Sequence, residues 1–234
     1  MVNMSIASKK KNKFKVHRPY RELTRGEEVI HAVTHGLGAL VSILALVLLV
    51  IRASGQGALA VAGAAVFGSS LIILYSASCL YHSSCIKYRT LEAGAMRRVC
   101  QKIDHSMIFI LIVGTYVPAC WTALGGWIGW TVFGVVGTCS VVGFVLNWIS
   151  VKRFEKIVLT LNIISGWTIV VAGVPYFNAI GEIGFNYLVA GGLFYTVGII
   201  FYKMQRIPYM HVIWHIFVIA GSLMHYIMIY NFVY

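Results

Sequence analysis

The chain has 234 residues, 59% of them hydrophobic and 11% charged, with a formal net charge of +12. A soluble domain carries about 25% charged residues, and no water-soluble fold of this length could hide so much apolar surface from its solvent. The basic residues sit in short stretches between apolar runs, which argues against nucleic acid as a partner and for a lipid bilayer.

Taken in chain order, residues 1–26 form a basic tail. The apolar run that follows is about twice the length of a signal-peptide core, so the tail is expected to be retained. Its eight Lys/Arg, from Lys9 to Arg25, suit the anionic headgroups of a membrane surface. Seven apolar stretches then follow, each long enough for a core of about 30 Å. They cover Val29–Ile51, Ala58–Tyr81, Ile103–Leu124, Trp127–Ile149, Ile157–Phe177, Ile183–Tyr202 and Tyr209–Phe232. A short Gly125-Gly126 turn joins the third to the fourth. The loops alternate in charge. After the tail, Lys/Arg fall in the second-to-third loop (Lys87, Arg89, Arg97, Arg98, Lys102), the fourth-to-fifth (Lys152, Arg153, Lys156) and the sixth-to-seventh (Lys203, Arg206). Only Arg52 lies on the other side. Positive charge marks the cytoplasmic face. The predicted fold is therefore an all-α integral membrane protein, a seven-transmembrane helix bundle over residues 27–234, with the N-terminus cytoplasmic and the C-terminus outside. Trp121, Trp127 and Trp130 flank the outer turn, as interfacial aromatics do. The five cysteines are odd in number and lack a CxxC pair, so neither a disulfide framework nor a cysteine zinc site is expected.

Ionisable residues within a bilayer are costly and are candidates for function by default. Here they gather at the predicted cytoplasmic ends: His82 at the end of the second span, Asp104 and His105 at the start of the third, His211 and His215 at the start of the seventh. His211 and His215 are i and i+4, on one helix face, and two imidazoles so placed can share a metal ion. His82 offers a third nitrogen, and three histidines with an open position form a catalytic zinc pattern. Ser78 lies one turn before His82. Asp104 could orient the metal's water, accept its proton or bind the ion itself. His31 and His35 make a rival i,i+4 pair after Glu27 and Glu28. They could form a second site or support the first, and the simpler reading is a polar helix entry with hydrogen-bonded imidazoles. His225 lies about 15 Å along the helix from His215, which suits a satisfied core histidine.

These motifs carry a family resemblance. Ser78-Cys-Leu-Tyr-His82, then Ile103-Asp104-His105-Ser106 leading to Gly114-Thr-Tyr-Val-Pro118, then His211-Val-Ile-Trp-His215 resemble the signature regions of the haemolysin III and progestin/adiponectin-receptor (PAQR) family. That family in turn resembles alkaline ceramidases within a superfamily of membrane hydrolases. The resemblance implies zinc on His82, His211 and His215, with Asp104 near the metal's water. The short tail is similar to the bacterial haemolysin III branch, which implies a bacterial plasma membrane rather than a hormone receptor.

Three functions compete. A zinc hydrolase would cleave lipid amide or ester bonds in membrane-lipid homeostasis, with Asp104 as general base and Ser78 as oxyanion donor. A non-enzymatic regulator would use structural zinc to tie helices together. A cytolytic pore needs polar lining through the whole bilayer, whereas polarity here concentrates at one end.

Overall fold

A computed structural model describes residues 21, 23–87 and 94–234. Most of the basic tail, Lys9 to Arg18, and Arg89 of the second-to-third loop lie outside these residues, and so does the expectation that the tail meets the membrane surface. Every regular element among the described residues is helical.

Helix α1, Arg25–Ala53, starts on a capping box: Thr24 Oγ1 accepts from the Glu27 amide, and the Glu27 carboxylate accepts from the Thr24 amide. Its two faces are inverted relative to a helix of a soluble protein. Glu27, Glu28, His31, His35 and Ser42 are buried, while Val33, Leu40, Val41 and Leu44 are exposed. In a bilayer this is the stable arrangement, because lipid solvates the apolar face and the bundle must satisfy the polar one.

Helix α2, Ala58–Lys87, lies in the interior and packs on α1 and on α3, Gly94–Pro118. Its Gly68 faces α1 so closely that a Cβ there would stand 2.8 Å from the Leu46 Cα. Close approach at small residues is what holds helices together when lipid removes the hydrophobic drive. Pro118, which has no amide hydrogen, ends α3 in a π-turn over Ala119–Leu124. The chain then reverses at Gly125 (φ 59°) and Gly126 (φ 51°), a left-handed pair that bears out the expected tight turn.

Helix α4, Gly126–Trp167, a short 3₁₀ stretch Thr168–Ala172 and α5, Gly173–Lys203, follow almost without interruption. As one straight helix these 78 residues would reach about 117 Å, several times the bilayer core of about 30 Å. Two breaks divide the run. At Ser150 (φ −165°, ψ 107°) the backbone leaves the helix, and the Ser150 hydroxyl accepts from the Arg153 amide at 3.2 Å, an N-cap for the next piece. At Gly181 (φ 70°, ψ 174°) the conformation is one that only glycine adopts cheaply. Helix α6, Met210–Met228, ends in a second π-turn, Ile229–Val233. Among the described residues, five helical runs are long and apolar enough to cross a membrane.

Hydrogen bonds between distant segments fix the two ends of the bundle. At one end the Tyr209 amide, just before α6, donates to Glu27 Oε1 at 2.7 Å, and Arg21 pairs with the same carboxylate. Tyr209 has a left-handed φ of 64°, an uncommon conformation for a bulky residue. At the other end Arg52 donates to the Tyr230 carbonyl at 3.3 Å, and Gln56 to that of Tyr234. Helices α1 and α6 therefore run side by side in the same direction.

Candidate metal centre

The Glu27 contact with Tyr209 aligns the first turns of α1 and α6, and this places the α1 histidines level with those of α6. Periodicity does the rest. Glu28, His31 and His35 share one face of α1, and His211 and His215 share one face of α6. Helix α2 brings His82 into the same layer. The imidazole of His31 lies among the other three, with ring centroids 4.5 Å from His82, 4.9 Å from His211 and 4.6 Å from His215. The three histidines joined by sequence reasoning are themselves 5.6 Å (His82–His211), 5.0 Å (His82–His215) and 4.9 Å (His211–His215) apart. His35 stacks on His215 at 3.7 Å.

Two sets of donor atoms lie within 4.8 Å of one another among the described residues: His31, His211 and His215, and Glu28, His31 and His82. Both contain His31. His31 is 0% exposed, His82 1% and His215 2%, and His211 is half-buried. His82 Nδ1 pairs with Glu28 Oε2 at 2.6 Å, which leaves its Nε2 without a partner. A carboxylate behind one imidazole nitrogen, with the other aimed at a shared point, is how proteins orient a metal-binding histidine. His215 Nδ1 and both ring nitrogens of His31 and of His35 also lack partners. The Glu28 carboxylate stands 3.9 Å from His31 Nδ1, longer than a normal hydrogen bond. Each buried unsatisfied nitrogen costs about 1–3 kcal/mol. A buried imidazole-rich donor set of this kind could hold a metal ion, and imidazole suits zinc, copper, iron and nickel alike.

Asp104 and Ser78 are placed differently. They belong to neither donor set and line a cavity of ≈ 100 Å³ beside it, together with His35, His105, His211 and His215. Asp104 contacts the adjacent His105 at 3.5 Å. The remaining walls are mostly apolar, with Trp214, Val218 and Leu159 among them, but they carry two amides that sequence reasoning missed, Asn147 and Asn162. Asn147 is 1% exposed, with both ends of its amide unpartnered. The signal was available, because an asparagine within an apolar span is as conspicuous as a histidine. A second cavity, of ≈ 110 Å³, continues from the first past Ile108, Asn162, Ile199 and Trp214, between α3, the second half of α4 and α5. His225 lies on its wall. Its Nε2 faces the Leu188 carbonyl at 3.3 Å and its ring packs on Tyr195, as expected for a satisfied core histidine.

Fold and cluster together define a class: a multi-pass helical membrane protein with a buried histidine–carboxylate centre opening on an apolar cavity. The family model described as "Haemolysin-III related" matches residues 23–226, and the chain belongs to that family. It is 40% identical to "Hemolysin-3" of Bacillus cereus, covering 85% of this chain and 88% of the relative. It is 38% identical to "Hemolysin-3 homolog" of Bacillus subtilis (strain 168), covering 84% and 89%. The human "Monocyte to macrophage differentiation factor" is 22% identical over 72% of this chain and 69% of the relative, in keeping with the wider PAQR connection.

Proposed function

We propose that this haemolysin III-family protein is a zinc-dependent hydrolase of lipid amide or ester bonds, working in membrane-lipid homeostasis. The observation that carries the proposal is the placement of Asp104 and Ser78 on the wall of an apolar cavity, beside a buried imidazole cluster and outside its donor sets. His82, His211 and His215 would hold the metal, with Glu28 fixing the His82 ring. Bound zinc supplies Lewis acidity, which polarises an acyl carbonyl and makes water acidic enough to attack near neutral pH. The chain's own residues do the remainder. Asp104 takes the proton from the attacking water and returns it to the leaving group. The Ser78 hydroxyl donates to the developing oxyanion. Asn147 and Asn162 offer donors and acceptors to the polar head of the substrate, and the apolar walls take its acyl chain. The assay is direct: purified, zinc-loaded protein in mixed micelles with a bacterial lipid panel, with fatty-acid release followed by mass spectrometry. Zinc-dependent release from one lipid class is expected, and no release from any class would sink the hydrolase.

Glu28 gives an independent test. Glu28→Ala leaves His82 free to rotate, and loss of such an outer partner weakens metal affinity about 10–100-fold. Chelator competition on the purified variant should show that loss; unchanged affinity would remove Glu28 from the centre.

A second reading, a regulator built around structural zinc, gains from the burial of His31, His82 and His215, since structural zinc sites are closed. Membrane lipid remains its partner. A cytolytic pore has less support, as the buried polar residues concentrate at one end of the bundle.

We also propose seven spans with the N-terminus inside. The breaks at Ser150 and Gly181 divide the 78-residue run into three pieces of membrane-spanning length. Lys102 reaches the Trp148 carbonyl and Lys203 reaches Glu155, so basic residues from three loops share one end of the bundle. In a bacterial host, alkaline phosphatase fused after Tyr234 should be active and a cytoplasm-dependent reporter there should stay dark. The reverse pattern would mean an even number of spans.

A further inference from the structure

The zinc reading leaves His31 without a task, yet its ring lies within 4.9 Å of those of His82, His211 and His215. It is fully buried, in a pair that the sequence allows to form a second site or to support the first, and neither of its ring nitrogens has a hydrogen-bond partner, Glu28 standing 3.9 Å from Nδ1. It is nearer to His82, at 4.5 Å, than either α6 histidine is. Both sets of donors within 4.8 Å include it. A tetrahedral zinc centre with Zn–N of about 2.0–2.1 Å has donor atoms about 3.3 Å apart, so a contraction of about 1.5 Å at most would bring His31, His211 and His215 onto one ion. His82 lies beside them, its ring 5.0 Å from that of His215 and its Nε2 free because Glu28 occupies Nδ1, while its own donor set is the one with Glu28 and His31. His35 is distinct: it belongs to neither donor set, stacks on His215 and lines the cavity.

From this arrangement we infer that His31 is a fourth metal ligand, so that the centre is a four-histidine site clasping α1, α2 and α6. The inference rests on the metal reading of the cluster and deepens it. Its chemical consequence is specific. With His31 bound, the position a catalytic site keeps for water is filled. Hydrolysis then requires either that His31 leave or that coordination expand to five, which zinc centres can do. Asp104 remains outside the metal's ligands in either case.

Cobalt(II) in place of zinc reads the ligands directly through its visible and near-ultraviolet spectrum. His31→Cys puts a thiol where the imidazole was. If residue 31 bonds the metal, a sulfur-to-cobalt charge-transfer band appears in this variant and is absent from wild type and from His31→Ala, which carry the same five native cysteines. Stoichiometric cobalt in His31→Cys with no such band overturns the inference. X-ray absorption of the unsubstituted zinc protein tests it without a mutation, should His31→Cys fail to fold. Four imidazoles in the first shell support the inference, and three imidazoles plus one oxygen overturn it. Wild-type protein that binds neither zinc nor cobalt would defeat the metal reading itself, an outcome separate from either result for His31.

Discussion

Asp104→Asn is expected to lower turnover of the lipid substrate by about 10²–10⁴-fold, the usual worth of a positioned acid–base group. At about 1.36 kcal/mol per decade, that is about 2.7–5.4 kcal/mol of lost transition-state stabilisation. Zinc content and thermal stability should hardly change. Asn has nearly the shape of Asp and preserves the contact with the cavity wall, but it cannot accept a proton. Metal retention is expected because Asp104 lies outside both clusters of donor atoms, on the cavity side of His211 and His215. The measurement pairs single-turnover kinetics with metal analysis of the same preparation. If zinc and melting temperature fell together, Asp104 would be a ligand, and the proton acceptor would have to be sought elsewhere on the cavity wall, which also carries His35, His105 and Glu155.

His215→Ala should abolish stoichiometric zinc. His215 is 2% exposed and touches His31, His35, His82 and His211, so its loss opens a space at the middle of the cluster. The affinity loss should exceed about 100-fold, the upper end for removing an outer-shell partner such as Glu28. The variant should also melt at a lower temperature in detergent, by a margin that shrinks when wild type is stripped of metal by a chelator. That convergence separates lost metal from lost packing, because binding to the folded state stabilises only the protein that binds. Zinc retained at one equivalent would take His215 out of the centre.

The histidine pairs show how far local spacing reaches. The i,i+4 interval assigns His211 and His215 to one face of α6, and His31 and His35 to one face of α1, with no knowledge of neighbours. It says nothing about how each helix is rotated about its axis within the bundle. Spacing therefore leaves open whether His31 makes a second site or supports the first, and the structure puts it among the other three imidazoles. Asn147 and Asn162 stand out in their apolar stretches, but only the meeting of α3, α4 and α6 gives both the same cavity.

What the amino-acid sequence determined by itself is the protein's solvent and its elements. Hydropathy and charge are sums over residues, so they survive without coordinates: the apolar runs, the segregation of Lys/Arg, the Gly125-Gly126 turn and the family motifs were all legible. The tertiary structure decided which polar groups meet. The Glu27 carboxylate aligns α1 with α6 through an amide 182 residues away, and Glu28 orients His82 across 54 residues. The reason is physical. In lipid, apolar faces are nearly indifferent to what they pack against, so burial of a few charged and polar groups, each needing a specific partner, selects the rotation and depth of every helix. Those partners are remote in sequence, and no local pattern encodes their pairing.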